Sequence, residues 1–333
     1  MFIILNRLKL NLEKLKWQME KIKTSSPLAL FEGDLIMTKI SSSKNNFVPL
    51  SLLILTSLLW STGGVLIKLI ELNPIVIAGF RSLFACIVFL PFVGNPFRIK
   101  LNKSKLLCAI FYAGNVILIV MATKYTASAN AILLQYTAPI YVTLFSKIFL
   151  KEDVSKREYI TVAGVLAGIA IFTYDGLTNE GMIGNILAMI AGIFFAGVIL
   201  LTKKLHTSSS FEPLFLGNIL AAIICSPFFF KENMTINDLC MLLVLGIFQI
   251  GIPYVLYVFA IKYISAVQAS LTTTLEPILN PVWVFLTTGE SPSTISLIGG
   301  IIVILFITFN YIIAGIGKSR IQDITQVKSK HSL

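Results

Sequence analysis

Three charged side chains sit inside long apolar stretches of the sequence: Arg81, Lys147 and Glu276. Any chemistry performed at depth must start from them. Glu276 is the most informative, because an ionised carboxylate facing hydrocarbon costs at least several kcal/mol. It must face an interior, carry its proton, or pair with a cation. A carboxyl that takes up and releases a proton in such a place suits the coupling of solute movement to a proton gradient, so Glu276 is the proton-coupling candidate. The competing reading is a protonated structural carboxyl beside the backbone disturbed by Pro277. Arg81 lies about a turn and a half within its stretch and reads as a cavity residue or as a headgroup anchor. Lys147 lies at the edge of a basic loop and reads as a snorkelling side chain.

Uncharged polar residues at comparable depth are Asn115, Gln135, Asn218, Gln249 and Asn280, with Trp60, Tyr112, Tyr136, Tyr254 and Tyr257 nearby. Singly, each is the kind of residue that glues helices together. As a set with Arg81 and Glu276, they supply the hydrogen bonds and aromatic walls of a pocket for a polar metabolite. Pro139, Pro253, Pro277 and Pro281 free backbone carbonyls at the same depth, which suits interrupted helices around a site. Gly164, Gly168, Gly299 and Gly300 read instead as close-packing positions.

Metal and nucleophilic chemistry have little to work with. Cys86, Cys108, Cys225 and Cys240 fall in apolar runs without a CxxC pair and read as buried, inert thiols. The two histidines, His206 and His331, fall in a loop and in the tail. No catalytic residue, metal ligand or cofactor is expected, and a membrane-embedded enzyme would want a nucleophile–base pair or paired carboxylates that this sequence lacks.

The elements that must position these residues are set by composition. Of 333 residues, 56% are hydrophobic and only 13% charged, with a mean hydropathy of +0.85. Soluble domains carry about a quarter charged residues, so the apolar excess must face lipid. The net charge of +11 does not point to nucleic acid, because the basic residues cluster in short gaps between apolar runs.

Runs long enough to cross a bilayer lie near 48–67, 75–93, 106–123, 129–149, 159–174, 182–202, 213–230, 239–261, 267–287 and 294–316. Ten transmembrane helices are therefore expected. Alternate loops carry ten basic residues (Arg98, Lys100, Lys103, Lys105, Lys151, Lys156, Arg157, Lys203, Lys204 and Lys262), whereas the other five connections hold only Lys68, Lys124 and Lys231. That bias sets both ends on the cytoplasmic side. Residues 1–47 form an N-terminal cytoplasmic segment and 317–333 a basic cytoplasmic tail. Asn6 to Lys23 is basic and roughly amphipathic, as an interfacial helix would be. The preferred reading is that 1–36 is a mis-called start and that translation begins at Met37.

The two halves repeat. A shift of 138 residues sets KYTASANAILLQYTAPI, from Lys124, against KYISAVQASLTTTLEPI, from Lys262, and Glu152 and Glu290 then follow each proline at equal distance. Near the start of each half, a similar match with an offset of 135 sets Trp60 to Lys68 against Phe195 to Lys203. Five spans per half is an odd number, so the second copy enters the membrane upside down. Inverted repeats of this kind belong to alternating-access carriers with a site where the halves meet.

On Asn73-Pro74, Arg81 and the paired segments Tyr125–Glu152 and Tyr263–Glu290, the sequence resembles the EamA-type family of the drug/metabolite transporter superfamily. The resemblance covers about 48–316. It implies an all-α membrane protein of ten transmembrane helices in two inverted five-helix repeats, 48–174 and 182–316. The implied function is secondary transport of small metabolites, most readily export of amino acids or related polar metabolites across a bacterial cytoplasmic membrane. Partners would be the bilayer, a small-molecule substrate and a coupling proton, with no nucleic acid, in a monomer or homodimer. The alternatives are a nucleotide-sugar or drug transporter of the same fold, or a non-transporting receptor or scaffold. Nucleotide sugars would want more cavity cations than Arg81.

Overall fold

The computed structural model describes residues 47–173, 181–205, 210–288 and 294–313, with Ser296 and Tyr311 excepted. Met37, His206, Glu290, His331 and the two terminal segments lie outside the described residues.

Among the described residues, seven helical segments are long and apolar enough to cross a membrane. The first, Val48–Leu69, contains α1 (Phe47–Ser61) and α2 (Gly63–Leu69), parted at Thr62. Next come α3 (Pro74–Val93) and α4 (Lys103–Tyr125). The segment Ser128–Leu150 contains α5 (Ser128–Gln135) and α6 (Ala138–Leu150). Then follow α8 (Met182–Lys204) and Phe211–Phe228, whose main body is α9 (Phe211–Cys225). The last, Ile236–Ile261, joins α10 (Ile236–Val244) to α11 (Ile252–Ile261) through a π-helical turn, Leu245–Gly251.

The three other expected spans coincide with helices that fall short of those criteria for visible reasons. Helix α7 (Lys156–Thr173) carries Lys156, Arg157 and Glu158 in its first turn. The ninth stretch, α12 (Ala266–Thr273) and α13 (Leu275–Thr288) parted at Thr274, is diluted by Gln268, Ser270, Thr272, Thr273, Thr274 and Glu276. The tenth is the apolar helix α14 (Leu297–Asn310), bounded at each end by a residue outside the described ones.

Polar residues punctuate the ends of these apolar rods. Asn73 accepts from Ile75 N at 2.9 Å just before Pro74, pairing a side-chain cap with a proline whose missing N–H costs nothing there. Asn102 caps α4 through Lys105 N, Thr235 and Asp238 form a capping box on α10, and Ser265 caps α12 through Gln268 N.

The most extensive packing runs between the halves rather than within them. Helix α8 lies along α4, α5 and α6, α9 along α3 and α4, and α11 along α1, while the π turn sits on α3. Glycines allow α7 to approach α14: a Cβ on Gly168 would lie 3.0 Å from the Gly299 carbonyl oxygen. Large apolar side chains such as Ile54, Leu83, Ile87, Ile190 and Ile223 are exposed around the bundle, a distribution that only lipid can cover at modest cost.

The thiol expectation needs one correction. Cys86, Cys108 and Cys225 are buried, but Cys240 is exposed. Cys240 sits on α10, whose side chains are mostly turned outward, so an apolar neighbourhood in sequence did not amount to burial. Lys147 points out of the bundle and lies 3.8 Å from Asp153.

Candidate functional site

The site is built on interrupted helices. At the end of α1, Gln249 Nε2 donates to the Trp60 carbonyl at 3.3 Å, and Asn280 Nδ2 donates to the Ser61 carbonyl at 3.1 Å. These carbonyls sit beside the break at Thr62, so side chains from the second half complete a helix end in the first. The two residues after Thr62 are glycines, and a side chain on either would push one of these donors aside. A Cβ on Gly63 would lie 2.4 Å from Gln249 Nε2, and one on Gly64 would lie 2.5 Å from Asn280 Nδ2.

Gln249 belongs to the π turn, a form that recurs at functional sites because it redirects a side chain without ending the helix. Its Oε1 accepts from Arg81 Nη1 at 3.4 Å, while Arg81 Nη2 donates to the Val116 carbonyl at 3.3 Å. Arg81 is 3% exposed. Its Nε has no hydrogen-bond partner among the described residues, which leaves one donor of a buried cation unused.

Glu276 lies in the first turn of α13, where the helix N-terminus favours a negative group. Its Oε2 accepts from the Tyr136 hydroxyl at 2.6 Å. Tyr136 marks the break between α5 and α6, and Glu276 follows the break between α12 and α13. The matched interruptions of the two repeats therefore touch through a hydrogen bond. Nearby, Gln135 Nε2 donates to Asn115 Oδ1 at 2.7 Å, and Asn115 Nδ2 reaches the Tyr254 hydroxyl at 3.5 Å.

These groups surround a cavity of about 50 Å³. Trp60, Arg81, Asn115, Gln135, Gln249, Tyr254 and Glu276 all line it. Arg81 and Glu276 face the same hollow, and no ion pair joins them among the described residues. A volume of this size holds a few waters, whereas pockets for metabolites run to several hundred Å³. The helices must part before a solute of that class can enter.

The other five candidates are not in the wall. Tyr136 adjoins it through Glu276 and through the Phe195 ring, 6.0 Å from its own. Tyr112 and Tyr257 stand behind Tyr254, with ring centroids 4.8 and 6.2 Å from it. Asn218 donates to the Tyr112 hydroxyl and to the Leu214 carbonyl, both at 3.0 Å. Asn280 is engaged by the Ser61 carbonyl. They form a supporting layer.

Gly63, Gly64, Thr123 and Phe195 line the cavity without having been singled out in the sequence. Phe195 carried a usable signal, because the repeat pairs it with Trp60, and the two rings meet edge-on at 5.7 Å. The glycine pair interrupting an apolar run was a second one.

The sequence pattern of the EamA-like transporter family matches this chain twice, at residues 48–174 and 182–312. An uncharacterized transporter from Clostridium kluyveri is 26% identical over 288 residues, which is 78% of this chain and 91% of that one. The uncharacterized transporter YdfC of Bacillus subtilis is 26% identical over 76% of this chain and 88% of its own length. The pseudopaline exporter CntI of Pseudomonas aeruginosa is 23% identical over 55% of this chain and 66% of its own. A crystal structure of another protein superimposes with a TM-score of 0.68 at 15% identity, over 81% of this chain and 99% of that one, a likeness of fold.

Proposed function

The chain belongs to the EamA-like transporter family, and from that premise we propose that it is a proton-coupled secondary carrier exporting amino acids or closely related zwitterionic metabolites. The carrier works by alternating access, with ten spans in two inverted five-helix units and both ends in the cytoplasm of a bacterial cell. Its cargo site is the cavity between the halves.

One observation carries the choice of cargo. A buried guanidinium and a buried carboxyl line one cavity without being paired to each other. Each is costly to keep there alone. A cargo carrying both charges would satisfy them together, its carboxylate on the unused Arg81 donor and its ammonium on Glu276. Tyr254, Trp60 and Phe195 supply apolar surface for the rest of the molecule. Export is supported by the relative named as an exporter. A nucleotide sugar is a poorer fit, since among the described residues Arg81 is the only cation in the cavity wall.

Counterflow into proteoliposomes tests the reading. Labelled amino acids should exchange, while the matching amines without the carboxylate and acids without the amine should exchange poorly. Equal movement of all three, or of nucleotide sugars alone, would sink the zwitterion assignment.

A further inference from the structure

Away from the cargo cavity, two hollows meet at one residue. The first is a groove of about 300 Å³ on the outside of the bundle, between α4, α6 and α8. Leu107, Phe111, Tyr141, Phe145, Phe149 and Leu201 form most of its wall. From Tyr141 to Phe149 it follows α6 for about 12 Å of helix rise, and its surfaces are aliphatic and aromatic. Gly197 keeps it open, because a Cβ there would lie 2.6 Å from the Phe111 ring.

The second hollow, of about 310 Å³, is lined by Phe149, Leu150, Glu152, Lys203, Lys204 and Lys262. Phe149 belongs to both walls, so the apolar groove ends where the cationic pocket begins. Three ammonium groups face one carboxylate. Lys203 and Glu152 have structural work: Lys203 Nζ donates to the Ile264 and Ile261 carbonyls at 2.6 and 2.9 Å and lies 3.7 Å from Glu152. Glu152 in turn accepts from Ala266 N at 3.1 Å. Lys204 and Lys262 supply the other two ammonium groups of this wall. Lys262 pairs with no carboxylate among the described residues; its ammonium lies over the Phe211 and Phe259 rings at 5.6 and 5.7 Å. Partial burial pulls that ammonium below the ordinary lysine value, a cost that an anion nearby would relieve.

An apolar channel at membrane depth running into a cationic pocket at the helix ends has the shape and charge of an amphiphile with an anionic head. We propose that the joined groove and pocket bind one anionic phospholipid, its phosphate at Lys204 and Lys262 and an acyl chain along Phe111, Phe145 and Phe149. A zwitterionic lipid offers its own ammonium against the phosphate and gains less from the excess positive charge. A soluble phosphate would leave the groove unused. The site is separate from the cargo cavity and does not depend on what the carrier moves.

The test uses the full chain, delipidated in detergent and titrated with phosphatidylglycerol or phosphatidylcholine of identical chains, with bound lipid counted by native mass spectrometry. One phosphatidylglycerol should be retained at a concentration at least about tenfold lower than phosphatidylcholine requires. Lys204→Gln with Lys262→Gln should remove that preference, leaving both lipids at the phosphatidylcholine level. Ile193→Trp, which fills the groove from its lipid-facing edge, should weaken retention of both lipids without touching a charge. Equal retention of the two lipids by the unmodified chain would overturn the proposal, as would a preference that survives in the double variant. Wild-type retention by Ile193→Trp would also overturn it, and so would displacement by glycerol phosphate at concentrations matching the lipid, which would assign the pocket to a soluble anion.

Discussion

The Tyr136 hydroxyl and the Glu276 carboxylate, 2.6 Å apart, join the two halves of the chain at the depth where charge is hardest to keep. If that carboxyl exchanges a proton during the cycle, Glu276→Gln should insert and fold, because the amide keeps the shape and the oxygen acceptor. Its exchange of cargo in liposomes should weaken, because the cargo's ammonium loses its carboxylate, and what remains should be flat with pH and insensitive to an imposed proton gradient. A variant that kept the wild-type pH profile would reduce Glu276 to a structural hydrogen-bonder. Tyr136→Phe removes the donor and leaves the carboxyl buried without it, which should slow transport by about tenfold. Combining it with Glu276→Gln should add little, because both changes act on one contact. Gly63 is the other residue with a sharp consequence. Gly63→Ala forces Gln249 away from the Trp60 carbonyl, and the thermal midpoint should fall by an amount equivalent to about 1–3 kcal/mol. Transport should fall with it, since Gln249 also holds Arg81.

Helix interruptions are the common device at the next scale. Breaks at Thr62, at Tyr136 and Thr137, and at Thr274 all border the cavity or its supporting layer, and the π turn at Leu245–Gly251 places Gln249 in its wall. Two of these were legible, because Pro139 and Pro277 follow them by a few residues and remove an N–H each. The π turn is followed in the same way by Pro253, two residues after Gly251, while the break at Thr62 is marked only by the pair Gly63-Gly64. The break at Thr62 depends on Gln249 and Asn280, far away in sequence, supplying hydrogen bonds to the carbonyls of Trp60 and Ser61. Pro277→Ala restores an N–H that can reach the Thr273 carbonyl and mend the second break. The variant should be at least as heat-stable as the parent but clearly slower in counterflow. Unchanged transport would mean that the interruption serves packing alone.

For the whole molecule, the interleaving of the halves matters most. Each half packs more extensively on the other than on itself, and ties between them lie at both ends of the bundle. Lys105 pairs with Glu212 at one end, and Glu232 accepts from Asn73 N at 2.9 Å at the other. Opening either end for cargo requires breaking such contacts. The orientation proposed for the bundle makes a direct prediction. With the exposed Cys240 replaced by serine, cysteines at Lys103 and Ser155 should react with an impermeant reagent only after the cell is opened. A cysteine at Glu71 should react in intact cells. Labelling of both from outside would reverse the orientation, and labelling of only one would break the span count on which the inverted repeat rests.

What the sequence determined alone was everything governed by transfer free energy and by short-range backbone chemistry. The apolar runs, the basic bias of alternate loops, the paired prolines and the caps at Asn73 and Ser265 depend on neighbours within a turn or two. They therefore predict helices largely where helices are found. The depth of Arg81, Glu276, Asn115 and Gln249 was readable for the same reason. Tertiary structure decided which polar side chains face the cavity and which stand behind it. Tyr112 and Asn115 share a helix face one turn apart, yet one is claimed by Asn218 and the other lines the hollow. That choice rests on partners more than a hundred residues away, as does the need for glycine at 63 and 64. The cationic pocket shared by Glu152, Lys203, Lys204 and Lys262 was likewise invisible, because three separate loops contribute it and only the fold brings their ends together.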